Sequence, residues 1–147
     1  GSSQGGFLSI AVAALDKRIT FLAPVHDAMC DYEAEIHGVA GGWPHYFYKE
    51  DKARGTAWKE QKLTDLEKAR LEGARYYDGV NFARRITVPG WYSFGYNDEV
   101  VPPTSSYGLY NSVKAPKTLS LYQMTGHYWY QEQWDEWQAW IVQQLTK

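Results

Sequence analysis

Apolar positions dominate the start of the chain. In GSSQGGFLSIAVAALDKR, Phe7, Leu8, Ile10, Ala11, Val12, Ala14 and Leu15 form a nearly continuous run of helical length. The run predicts a helix buried on most sides. Asp16-Lys17 closes it, and Ile19 to Val25 (ITFLAPV) is apolar without alternation. Unbroken apolarity is what a strand requires in a parallel sheet covered on both faces. Thr87 to Gly95 (TVPGWYSFG) and Lys117 to Gln123 (KTLSLYQ) predict two more strands. Between them, Pro102-Pro103-Thr104-Ser105 opens a helix to about Val113, with proline suited to its first turn. From Tyr130 to Leu145 the residues Tyr130, Trp134, Trp137, Ile141 and Leu145 share a stripe, so the tail predicts a helix laid over the sheet.

Residues 26–85 break this pattern. Glycine interruptions and dense charge alternate with helical spacing, as at Leu63, Leu66, Ala69 or Arg70, Gly73 and Tyr77. The region reads as a helical insertion after the first strand, its charges a solvated face. Helix, strand, insertion, strand, helix, strand, helix is the order of a parallel α/β domain, here with about three strands in a single unit over 1–147.

Composition narrows the classes. A chain of 147 residues is long enough for one domain with a real core, and a net charge of −2 gives no basic footprint for nucleic acid. No apolar run is long enough to span a membrane, so no membrane partner is expected, and no signal peptide is visible. Seven Trp and twelve Tyr suit a large core or a surface that stacks on sugar rings. Cys30, the one cysteine, excludes an internal disulfide and reads as a small buried apolar group.

In open parallel sheets the working groups gather beyond the carboxyl ends of the strands. Asp98, in GYNDEVVPP, follows the second strand, and His127, in MTGHYW, follows the third. Ser3 stands ahead of the first helix in G-S-S-Q-G, a match to G-x-S-x-G. The same letters also resemble an artificial linker, and on their own they leave both readings open. The order Ser, Asp, His is the order of triads on α/β-hydrolase folds. In such a triad the glycines around Ser3 permit a sharp turn, and the N–H of Gln4 supplies one oxyanion donor at a helix N-terminus. His127 takes the serine proton, and Asp98 fixes the imidazole tautomer.

GSSQGGFLSIAVAALDKRI, DGVNFARRITVPGWYSFGYNDEVVPP and APKTLSLYQMTGH resemble the acetyl xylan esterase / cephalosporin-C deacetylase family, and AMCDYEAEIHGVAGGWPHYF looks like its variant in polysaccharide-degrading bacteria. The resemblance covers nearly the whole chain and implies the C-terminal part of an α/β-hydrolase sheet, with nucleophile Ser3, acid Asp98 and base His127. It implies a serine esterase that removes acetyl groups from O-acetylated carbohydrates through an acyl-serine, with no cofactor or metal. Members carry a long N-terminal half with the other oxyanion donor, and nothing in this chain matches it. The implied partners are therefore an acetylated oligosaccharide and either further copies of the chain or the missing half, which would cover an apolar strand edge. Feeble activity is expected of the chain alone. A secreted or periplasmic location is favoured over the cytoplasm.

Rival readings stand beside these. Ser2 and Glu99 are the nearest alternatives to Ser3 and Asp98. His26 follows the first strand, where it either lines the substrate pocket or is a satisfied rim histidine, and Trp43 either stacks on a sugar or plugs the insertion. His26, Asp31, Glu33, Glu35, His37 and His45 fit no metal-ligand spacing. A prolyl-oligopeptidase-type peptidase shares the order of the triad, and a non-catalytic aromatic-rich carbohydrate-binding module would need no triad at all.

Overall fold

The computed structural model describes residues 1–36, 42–45 and 63–147; the remainder of the insertion region, including His37, lies outside the described residues. Its elements are α1 (Gln4–Leu15), α2 (Tyr32–Ile36), α3 (Asp65–Ala74), α4 (Gly79–Ala83), β1 (Gly90–Gly95), α5 (Pro103–Ser112), β2 (Lys117–Tyr122) and α6 (Gln131–Leu145).

β1 and β2 pair in parallel, Gly90 opposite Lys117 through Gly95 opposite Tyr122. The first apolar run joins β1 on its other side, but through isolated bridges at Leu22–Gly90 and Val25–Ser93 rather than a continuous strand. Pro24 explains the break, because it has no N–H to give to a ladder. Its carbonyl still accepts the Ser93 N–H at 3.3 Å, and the Leu22 N–H reaches Pro89 O at 3.1 Å. The expected three strands are thus two, plus a bridged segment. Beyond it, Ser2 bridges Val25 in parallel.

β1 is buried along its whole length, as a strand covered on both faces must be. Its side chains alternate. Tyr92 faces a core with Ile10, Leu22, Ala83, Leu109 and Val113, supplied largely by α1, α4 and α5. Trp91 faces the other way, with Val25, Trp129, Trp137 and Trp140. The tail tryptophans therefore cover the sheet. Trp137 Nε1 donates to Ala23 O at 2.9 Å, and Gln133, buried in α6, donates to Ser93 Oγ at 2.7 Å. Trp134 stacks on Trp137 but stays half open to solvent.

One expectation fails in part. α1 is not buried on most sides: Leu8, Val12 and Leu15 are 57%, 46% and 65% exposed. α1 lies against α4 on one flank. Its other flank borders an open apolar groove lined by Ile19, Phe21, Trp137 and Ile141, which nothing among the described residues fills.

The end of the insertion region is tied back by one carboxylate. Asp78 caps α4 through Val80 N and also accepts from the N–H groups of Asp31 and Tyr32, all at 2.9 Å. Losing a cap costs about 0.5–2 kcal/mol, and each hydrogen bond to a charged group contributes about 1.5–3 kcal/mol. Asp78→Ala is expected to destabilise the chain by ~2–4 kcal/mol, read as a lower urea midpoint with an unchanged slope.

Candidate active site

Three loops converge at the carboxyl ends of the sheet. Ser3 is the residue before α1, held at φ 54°, a left-handed conformation uncommon outside glycine. Strained dihedrals of this kind persist only where the surroundings enforce them. Here the Ser3 N–H donates to Val25 O at 2.9 Å, while the Val25 N–H donates to Gly1 O at 2.9 Å. Gly6 lets the helix press onto the same segment, since a Cβ there would stand 2.9 Å from Val25 O and 3.2 Å from Asp27 Oδ1.

Asp98 lies in an Asx turn after β1. Its Oδ1 accepts the N–H groups of Val100 at 2.9 Å and Val101 at 2.7 Å. Its Oδ2 is 2.8 Å from His127 Nδ1, and His127 Nε2 is 3.0 Å from Ser3 Oγ. An ionised carboxylate only accepts, so Nδ1 carries the proton, Nε2 is left as acceptor, and the Ser3 hydroxyl donates to it. Burial pushes the Asp98 carboxyl up, but the N–H groups that face it from His26, Val101 and His127 outweigh it and hold the group below its ordinary value. It therefore stays charged at neutral pH.

The loop bearing His127 is fastened to the loop bearing Asp98. Asn97 N–H donates to Thr125 O at 2.9 Å. Gly95 makes the approach possible, because a Cβ there would collide with Thr125.

The other candidates fall as follows. Gln4 is the first residue of α1, and no helical turn precedes it to accept its N–H, so that donor is available. Ser2 is structural: it bridges Val25 and its Oγ accepts Trp129 Nε1 at 3.2 Å. Glu99 is exposed and apart from the hydrogen-bonded chain. Trp43 is half-buried, and its carbonyl accepts Met29 N–H at 2.8 Å, tying the segment 42–45 to the loop after Val25. Cys30 is buried with its thiol pushed up by burial and by Asp27 and Asp78, and it donates to Asp27 O.

His26 departs from both sequence readings. It neither lines an opening nor has its ring satisfied: the side chain is 1% exposed and both ring nitrogens lack an aligned hydrogen-bond partner. Nδ1 nonetheless lies 3.2 Å from Asp98 Oδ2. Sequence reasoning missed this contact because it joins residues 26 and 98 through the pairing of Val25 with Ser93, a register the letters do not spell.

Asp27, next in the chain, is fully buried with neither oxygen hydrogen-bonded, and burial raises its carboxyl to about 7. The folded state thus keeps a proton that the unfolded chain releases near pH 4. Between about pH 4 and pH 7 this group subtracts stability as pH rises, up to ~4 kcal/mol. Urea midpoints measured across that window should fall more steeply in the wild type than in Asp27→Asn.

The geometry is matched by kinship. A family model of acetyl xylan esterases matches residues 1–144. The acetyl esterase Axe7A of Xylanibacter ruminicola is 38% identical over 128 residues, 87% of this chain and 26% of that protein. The acetyl xylan esterase from Paenibacillus sp. R4 superposes with a TM-score of 0.77 at 27% identity, over 97% of this chain and 43% of its own. That of Thermoanaerobacterium sp. JW/SL YS485 gives 0.72 at 26%, over 97% and 44%. The Pyrococcus horikoshii acylaminoacyl peptidase gives 0.60 at 13% identity, over 86% and 19%, a likeness of fold alone. The chain spans about a quarter of the curated relative and less than half of either esterase structure.

Proposed function

The chain belongs to the acetyl xylan esterase family, and from that premise we propose that it carries the catalytic triad of an esterase removing acetyl groups from O-acetylated carbohydrates. The observation that carries this reading is the unbroken series Ser3 Oγ, His127, Asp98 at 3.0 and 2.8 Å. Ser3 Oγ attacks the acetyl carbonyl carbon while its proton passes to His127 Nε2. The oxyanion that forms meets the Gln4 N–H at the N-terminus of α1. Collapse expels the sugar alcohol, which takes the proton from His127 and leaves acetyl-Ser3. Water, giving its proton to His127, then attacks the acyl carbon, and acetate departs as Ser3 recovers its hydrogen. Asp98 remains ionised and stabilises the imidazolium in both halves.

A sugar-bearing substrate suits the surroundings. Tyr96, Met124, Tyr128 and Tyr130 are exposed in the segments that carry Asp98 and His127, and they offer flat or apolar faces to a pyranose ring. A fluorophosphonate probe is expected to label Ser3, to label the Ser2→Ala variant equally, and to leave Ser3→Ala unmodified. Acetyl ester turnover should fall by about 10⁴-fold or more in Ser3→Ala. Labelling elsewhere, or faster cleavage of an aminoacyl arylamide than of an acetyl ester, would remove the reading.

The open groove beside α1 bears on partners. Leu8 and Val12 share the groove with Ile19, Phe21, Leu22 and Ala23 of the apolar segment, and an uncovered apolar edge invites pairing. In this reading the groove is covered in the working enzyme, and the second oxyanion donor comes from outside the described residues. One missing donor costs about 10²–10³ in rate, so the chain alone turns over slowly. On its own it is expected to self-associate through the groove. Sedimentation should show mass rising with concentration in the wild type and a monomer for Val12→Lys.

A further inference from the structure

His26 is an expensive residue to keep where it is. Its backbone takes φ 50°, its side chain is sealed from water, and neither ring nitrogen has an aligned partner. A position with only a turn to make would favour glycine or asparagine, which adopt that conformation with less strain. The backbone is pinned by the His26 N–H donating to Ser93 O at 2.9 Å, so the pairing with β1 delivers the ring to one place. That place is Asp98 Oδ2, 3.2 Å from Nδ1, on the same oxygen that His127 Nδ1 approaches at 2.8 Å. The two imidazole rings lie 5.3 Å apart, tilted by 53°.

We propose that His26 is a positioning residue, a second imidazole that braces Oδ2 of Asp98 beside His127 and tempers its hold on the His127 proton. The proposal rests on the triad reading above. The two histidines divide the work by reach, because only His127 also meets Ser3 Oγ. With its proton on Nδ1, His26 presents a positive N–H to the carboxylate at an oblique angle. It limits rotation of Asp98 about its side-chain bonds and draws off part of its negative charge. Among the described residues the groups facing this contact are these. Asp98 itself is bonded by the N–H groups of Val100 and Val101, His127 stands beside it with the Ser3 hydroxyl beyond, and Asp27 is the adjacent buried acid.

Loss of the His26 N–H leaves Asp98 more basic, which agrees in direction with the contribution of His26 to holding that carboxyl low. A more basic Asp98 keeps the proton on His127 to higher pH. Two measurements on the chain follow, one of them independent of turnover. Carbon-13 NMR of the Asp98 carboxyl reads its titration, and the rate of Ser3 phosphonylation by the fluorophosphonate, with loss of fluoride, reads activation of the nucleophile against pH. In His26→Phe, which keeps bulk but has no donor, the Asp98 titration and the acid limb of Ser3 labelling both move to higher pH. The plateau rate drops roughly tenfold, the size of one hydrogen bond to a charged group. His26→Asn, whose amide nitrogen falls near the place of Nδ1 and which tolerates positive φ, restores most of both. Should His26→Phe not fold, His26→Gly serves as the variant without a donor.

A folded donor-free variant with Asp98 titration and acid limb unmoved, while Ser3 still labels, overturns the role of His26 alone. So does a His26→Asn variant that behaves like His26→Phe. Failure of Ser3 to label in the wild type overturns the esterase reading and with it any catalytic role for His26, even where the Asp98 titration follows the substitution.

Discussion

A carboxylate removed from water must find donors or give up its charge, and Asp98 finds them on every side. Two backbone N–H groups of its own turn fix Oδ1, and His127 holds Oδ2. Because the turn is local, Oδ1 is held by residues only two and three positions further along the chain. His127 then inherits its orientation and tautomer from Asp98, and Ser3 finds an acceptor only because that tautomer leaves Nε2 bare. Asp98 is itself buried, and the burial of Val101 and His26 beside it keeps water from competing for the carboxylate. Without the Asx turn, the other two side chains would remain near each other but would lack a defined proton path.

Much of the fold was legible because periodicity reports burial directly. α1, α5, β2 and α6 lie within a few residues of where the apolar runs and Pro103 put them. Ser3, Asp98 and His127 could be proposed because topology asks for functional groups at strand ends, and the residues there were of the right chemical type. The errors share a cause. The segment Ile19–Val25 was read from apolarity alone, which is blind to the missing N–H at Pro24. α1 was expected to be covered because an apolar run says how much surface wants burial and nothing about what stands next to it. Position along the chain places His26 in a loop, whether lining a pocket or at its rim, whereas the depth of its side chain depends on pairing register and on φ.

The loop from His26 to Asp31 concentrates what sequence reasoning could not resolve. His26, Met29 and Asp31 all take positive φ, and His26 and Asp27 bring unsatisfied polar atoms into the interior. Left to itself, such a segment would relax. It is held from both ends: Val25 pairs with Gly1 and Ser3, His26 with Ser93 of β1, and Asp78 gathers the N–H groups of Asp31 and Tyr32. Asp78 lies 47 residues from Asp31 along the chain, so the insertion region closes the loop that passes beneath the triad. Strain sustained by remote contacts is common where geometry matters to chemistry, and the position of His26 against Asp98 gives this strain a local consequence.

The open groove and the triad make separable demands on the polypeptide. The hydrogen bond from Ser3 to His127 needs only strand-end loops that this chain supplies and ties together, since Val25 bonds to Gly1 and Ser3 on one side and bridges β1 on the other. Stabilisation of an oxyanion needs at least two donors, of which the described residues offer the Gln4 N–H at one helix end. Covering Leu8, Val12 and Leu15 needs apolar surface from elsewhere. Nucleophile reactivity and turnover are therefore expected to part company in this chain, because a fluorophosphonate offers a strongly electrophilic phosphorus and a good leaving group in fluoride and so demands less of the oxyanion donors than an acetyl ester does. Under the proposed reading, hydrolysis of an acetyl ester draws on a fuller set of donors than the described residues offer. The hydrogen bonds among Ser3, His127 and Asp98 are made without any contribution from the surface that borders the groove.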